Sequence, residues 1–167
     1  MKTAIVALAL FAIAGPCLAQ EPVGCDKFKW PLDKEHAMLT DPKLPTVASG
    51  GNVAQPIPAA ITVDLVPFAD AKLPMAPERQ PKSPGSFAGF VQVAAPTQAG
   101  TYKITLSAGG WIDVIQAGRT VKSSAFSGAT GCDGMRKSVK FDLAAQPFSV
   151  ELSGMSGNTI KMAITGD

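Results

Sequence analysis

The sequence predicts an all-β protein: a single antiparallel β-sandwich or jelly-roll-like domain, with a proline-rich N-terminal segment and one short helix. Three observations predict it. From residue 87 onward, short runs alternate apolar and polar residues with the period of two that a half-buried strand requires. Glycine-bearing links separate several of these runs, which is the turn chemistry of antiparallel sheets. The prolines are divided unevenly: twelve of the fourteen fall between residues 20 and 100, and only Pro147 lies beyond. Proline fixes φ and removes an N–H donor, so the first zone is expected to be mostly extended chain with brief regular pieces.

One such piece, 31–39, reads as a helix. Pro31 suits a first turn, Asp33 and Glu35 favour the positive end, and Leu32, His36 and Leu39 recur at helical spacing. Residues 60–66 alternate Ile61, Val63 and Leu65 against Thr62 and Asp64, as a half-buried strand does. The stretch RQPKSPGS (79–86) is a polar connector. Strands are then expected at 87–94, 101–107, 111–116, 119–124, 137–143, 148–152 and 159–165. The clearest is 101–107, with Tyr102, Ile104 and Leu106 facing in and Lys103 and Thr105 facing out. Ala117-Gly118 joins two of these strands as a two-residue hairpin turn that needs positive φ at Gly118. The stretch SSAFSGATGCDGMRKS (123–138) reads as a long loop. Asp64 and Asp113 are expected on exposed polar faces.

The expected organisation is one domain. Residues 1–19 form a signal peptide, 20–86 a proline-rich segment packed on the sandwich, and 87–167 the main sandwich strands. The leader reading rests on Lys2, the apolar run 4–14, Gly15-Pro16 and a small-residue exit at Ala19, and the run is too short to span a bilayer. The expected location is therefore periplasmic or extracellular, with no transmembrane segment after cleavage. Pro16 stands where lipoprotein processing needs a small residue, which argues against acylation of Cys17. The charges nearly cancel, 15 Lys+Arg against 13 Asp+Glu. A nucleic-acid partner is not expected from such a balance.

Cleavage leaves Cys25 and Cys132, an even pair in an exported chain, which points to a disulfide. It would close a loop of about 107 residues, worth roughly 4–5 kcal/mol in the chain-entropy model. Two cysteines and the single histidine, widely spaced, make no zinc pattern, so neither a metal nor a cofactor is expected.

The segments CDKFKWPLDKEHAML (25–39), GSFAGFVQV (85–93), GTYKITLS (100–107), WIDVIQAGRTVKSS (111–124) and GCDGMRKSVKF (131–141) together resemble a family of small exported proteins of Gram-negative bacteria. The resemblance spans nearly the whole mature chain and implies no catalytic residues. Some members of that family carry the label homogentisate 1,2-dioxygenase, an activity that holds ferrous iron with two histidines and a carboxylate. This chain has only His36, so the label does not fit it.

Two groups of residues are candidates for function. His36 with Asp33, three residues back on the same helix face, is the one cluster suited to acid–base work, beside the plainer reading of a capped surface helix. Ser127, Arg136 and Lys137 lie in the 123–138 stretch and Arg119 and Lys122 on the strand edge beside it, and the glycines and hydroxyls of that stretch suit an anionic or polyhydroxylated ligand. Trp30, Trp111 and Tyr102 are the aromatics available for stacking on a sugar. The expected function is a non-enzymatic binding protein whose partner is a small molecule, a glycan or an envelope protein. The alternatives are a hydrolytic or metal-assisted enzyme using His36, or a structural accessory of an envelope assembly. Intact-mass measurement of the protein from its native host should show a chain beginning at Gln20, and a mass that retains residues 1–19 would overturn the leader reading.

Overall fold

The computed structural model describes residues 21–167, so the signal peptide read at 1–19 lies outside the described residues. The chain is an all-β sandwich of two six-stranded sheets with one short helix. The first sheet runs in the order β1 (Thr46–Ala48), β3 (Ala59–Asp64), β12 (Thr159–Gly166), β6 (Gly100–Leu106), β10 (Lys137–Leu143), β9 (Ser123–Gly128). The second runs β2 (Asn52–Val53), β5 (Phe87–Val93), β11 (Phe148–Met155), β7 (Trp111–Gln116), β8 (Arg119–Val121), with β4 (Val66–Pro67) also paired to β5. Pairing is antiparallel except at one edge, where β1 lies parallel to β3 and β2 parallel to β5. Among the described residues no helix is long and apolar enough to cross a membrane.

Alternation places the core. Ile61 and Val63 of β3, Ile104 and Leu106 of β6, and Phe141 of β10 meet Val91 of β5, Val114 of β7, and Val150 and Leu152 of β11 between the sheets. The predicted hairpin at Ala117-Gly118 is present. Both residues take positive φ, 51° and 71°, as a turn matching the twist of β7 and β8 demands. The helix α1 spans Asp33–Thr40, close to the predicted 31–39.

Three expectations need correction. The run 119–124 is not one strand: β8 belongs to the second sheet, β9 to the first, and the chain crosses between them at Lys122. The stretch 123–138 is not a single loop, because its first six residues form β9 and only 129–136 connect. Its small and hydroxylated residues disguise a strand: Ala125 and Ser127 face protein while Ser124 and Phe126 face solvent. The 20–86 segment does not merely pack on the sandwich. It supplies β1 to β4, and β3 is an interior strand between β1 and β12. A second direct crossing occurs there, where Ser49–Gly51 carries the chain from β1 of one sheet to β2 of the other.

The rest of the proline-rich zone covers the outer faces. Residues 21–44 lie on the first sheet, where Phe28, Leu32 and Leu39 pack with Ala129, Cys132, Met135 and Ala163 in a second, smaller core. Residues predicted to face outward on β6 are therefore not in water: Thr105 is fully buried and Lys103 half-buried. The Cys25–Cys132 disulfide, with Cα atoms 4.7 Å apart, ties this covering to the segment after β9. Residues 68–85 form a strap over the second sheet.

Burial separates two phenylalanines of neighbouring strands, Phe141 of β10 and Phe126 of β9. Phe141 is 1% exposed and Phe126 62% exposed. Phe141→Ala should cost about 3–5 kcal/mol in urea unfolding, and Phe126→Ala should stay within about 0.5 kcal/mol. Similar losses at the two positions would contradict this core.

Candidate functional site

The strap and the second sheet enclose two carboxyls, Asp113 and Glu151, with the Ser153 hydroxyl. Asp113 of β7 and Glu151 of β11 are directly opposed across the strand pair. Both project to the outer face, because Val114 and Leu152 beside them face the core. In a bare sandwich they would be solvated. Here they are 3% and 1% exposed, since the strap lies over them.

The strap is irregular and needs acceptors for its N–H groups. The Met75 N–H donates to Glu151 Oε1 at 2.7 Å, and the Glu78 N–H to Asp113 Oδ2 at 3.2 Å. The Trp111 indole N–H donates to Asp113 Oδ1 at 2.8 Å. Glu151 Oε2 and the hydroxyl of Ser153, which is two residues on and on the same face, are buried with no hydrogen-bond partner among the described residues. Burial is the main force raising both carboxyl pKa values. For Asp113 the Trp111 and Glu78 hydrogen bonds oppose it and the Glu78 charge adds to it; for Glu151 the Met75 N–H opposes it and the Asp113 charge adds to it. Lys137, beside them, is lowered by burial and then by the charges of Arg79 and Arg136.

The covering of the first sheet holds a buried carboxylate of opposite tendency. Glu35 of α1 is 1% exposed, accepts from the Thr165 hydroxyl, and pairs with Lys103 Nζ at 3.0 Å. Burial pushes its pKa up, but those two hydrogen bonds and the Lys103 charge outweigh burial and hold it below the ordinary range.

The residues singled out from the sequence are placed as follows. Asp33 is exposed, while His36 is half-buried and its Nε2–H donates to the Asp133 carbonyl at 2.8 Å, so the ring is oriented by that carbonyl and not by Asp33. Arg119 and Lys122 are exposed at the β8 edge. Ser127 is buried and accepts the Lys29 N–H at 2.9 Å. Arg136 pairs with Glu21, and Lys137 donates to the Gly110 carbonyl at 2.7 Å. The aromatic rings are engaged as well. Trp111 has Lys137 and Arg79 at 5.0 and 5.4 Å from its ring centroid, Trp30 has Lys140 at 4.7 Å, and the buried Tyr102 donates to the Gln98 carbonyl. Asp113, expected on an exposed face, is buried. Cys25, Cys132 and His36, too far apart in sequence to suggest a cluster, come together.

Beyond the strap, the second sheet carries an open groove of about 360 Å³. Gln92, Ser149 and Ile115 form one cross-strand row in it, flanked by Asn52, Phe148 and the Ala117-Gly118 turn. None of its lining residues is charged.

The strap makes a signed prediction. A carboxyl whose folded pKa is raised contributes stability that is fully present below its unfolded value and is lost as pH rises through the folded one. Glu151→Gln, which imitates the neutral form, should therefore gain on the parent in thermal stability as pH rises above 4.5, the ordinary glutamate value. A difference between the two that does not change with pH would overturn this. Comparison of the chain with known protein families, with characterised proteins and with solved structures finds no match.

Proposed function

We propose that the protein is an exported binding protein of the periplasm or extracellular space, without catalysis of its own. Its ligand in this reading is a small, uncharged, polyhydroxylated molecule such as a glycan unit. The groove on the second sheet carries the proposal. Its volume falls within the roughly 300–1,000 Å³ of small-molecule sites. It offers two side-chain amides, Asn52 and Gln92, and the Ser149 hydroxyl, each both donor and acceptor, beside the apolar surface of Ile115 and Phe148. Such a mixture suits a sugar, whose hydroxyls need both kinds of partner and whose C–H face needs an apolar one. An anionic ligand fits less well, because Arg136 and Lys137 are already bonded within the chain and no cation lines the groove. The leader and the disulfide support export.

Neutral oligosaccharides and their carboxylated analogues, screened by saturation-transfer NMR, test the reading. Neutral saccharides should bind, and Gln92→Ala with Ser149→Val should weaken them at least about tenfold, the loss of one or two net hydrogen bonds. Binding of the carboxylated probes alone, or affinity untouched by both substitutions, would overturn it.

A further inference from the structure

The corner where the N-terminal covering meets the segment after β9 gathers three side chains that the sequence sets far apart. One ring nitrogen of His36 and the sulfurs of Cys25 and Cys132 all lie within 4.8 Å of one another. The two sulfurs are bonded as a disulfide. We propose that reduction of this bond turns the corner into a zinc site, with the Cys25 and Cys132 thiolates and the His36 imidazole as ligands. The disulfide is its closed form.

The donor set fits the ion. Two thiolates and an imidazole are the ligands zinc prefers, and a fourth tetrahedral position is left for water. Zinc–sulfur bonds of ~2.3 Å place two sulfurs roughly 3.8 Å apart in a tetrahedral site. With the two Cα atoms 4.7 Å apart, rotation about the two Cα–Cβ bonds spans that separation.

The histidine is already held as a ligand would be. A metal-bound imidazole commonly donates its other N–H to a carbonyl, which fixes the tautomer and the ring plane. The His36 Nε2–H makes such a bond to Asp133, the residue after Cys132, and so leaves the lone pair on Nδ1.

The corner does not depend on the disulfide for its shape. The Gly24 N–H donates to the Thr130 carbonyl and the Thr130 N–H to the Pro22 carbonyl, both at 2.8 Å. The Lys29 N–H reaches Ser127, and α1 is anchored by the buried Leu39 and Glu35. These contacts keep both cysteines and His36 in place when the sulfurs part. Cys25 is exposed and Cys132 buried, so a reductant enters at Cys25.

The step balances with a small dithiol as reductant. One of its sulfurs attacks the Cys25 sulfur and displaces Cys132, and its second sulfur then releases Cys25. The dithiol leaves as a cyclic disulfide, and the protein gains two electrons and two protons as two thiols. Binding of Zn²⁺ then releases the two thiol protons.

The test uses the purified protein, oxidised or treated with a phosphine reductant, titrated with Co²⁺ and back-titrated with Zn²⁺. Circular dichroism is recorded in each state. Reduced protein should keep its strand spectrum, bind one Co²⁺ with intense sulfur-to-cobalt charge-transfer absorption, and give it up to Zn²⁺. Oxidised protein should show no such bands. Cys132→Ser should lose most of the charge-transfer intensity. His36→Ala should weaken Co²⁺ at least about tenfold, the least that even an outer-shell change costs. Loss of the fold on reduction, absence of charge-transfer bands in a folded reduced chain, or a His36→Ala variant with parental affinity would each overturn the proposal.

Discussion

Irregular chain laid against a sheet must find partners for its own backbone, and much of this structure follows from that need. Proline lightens the demand, because each one removes a donor. The N–H groups that remain cannot join a ladder, so side chains standing out from the sheets accept them. Glu151 and Asp113 serve Met75 and Glu78 of the strap, and Ser127 serves Lys29 of the N-terminal covering. Ser49, in the crossing between β1 and β2, does the reverse and accepts the Phe90 N–H of β5. Where the covering presents carbonyls instead, Lys161 donates to those of Leu39 and Asp41. Many of the buried polar groups on the outer faces are the counterpart of the irregular parts of the proline-rich half, which lie over them.

The two coverings solve the burial of a carboxylate differently. Under α1, Glu35 has a cation and a hydroxyl, and the charged form is kept. Under the strap, Glu151 has a single N–H and a second carboxyl beside it, and the neutral form is favoured. The first arrangement strengthens above the ordinary carboxylate range and the second below it. The two faces of one small domain thus respond to acid in opposite senses.

Legibility in the sequence followed the range of the interaction. Strands β3, β5 to β7 and β10 to β12 announce themselves through alternation, and the β7–β8 turn through Ala117-Gly118, because a period of two and a positive φ are local properties. The helix was visible for the same reason. Strand β9 was hidden because the positions it buries, on the outer face of its sheet beneath the N-terminal covering, are Ala125 and Ser127, which give no apolar signal. Asp113 and Glu151 stand at the outward positions of good strands, where alternation makes a residue look solvated. Nothing near them in sequence says that residues 75–78 lie on top. The groove was illegible on similar grounds, since Asn52, Gln92 and Ser149 come from three separate strands. The disulfide was readable from the parity of the two cysteines beyond the expected leader, but the approach of His36 to it depends on how α1 docks.

The crossings at Ser49–Gly51 and Lys122 have a further consequence, for the behaviour of the protein at high concentration. Sandwiches are prone to growing edge to edge, one molecule adding a strand to the next. Here each lateral margin is stitched, with the chain leaving an edge strand of one sheet and entering the edge strand of the other almost at once. Of the edge strands among the described residues, β1, β2, β4 and β8 are only two or three residues long and offer little to copy. Polymerisation by strand addition is thereby channelled to β9, six residues long, where Phe126 stands in solvent with the Lys29 ammonium over its ring. A neighbour adding there would have to desolvate that cation, which guards the longest of the described edges.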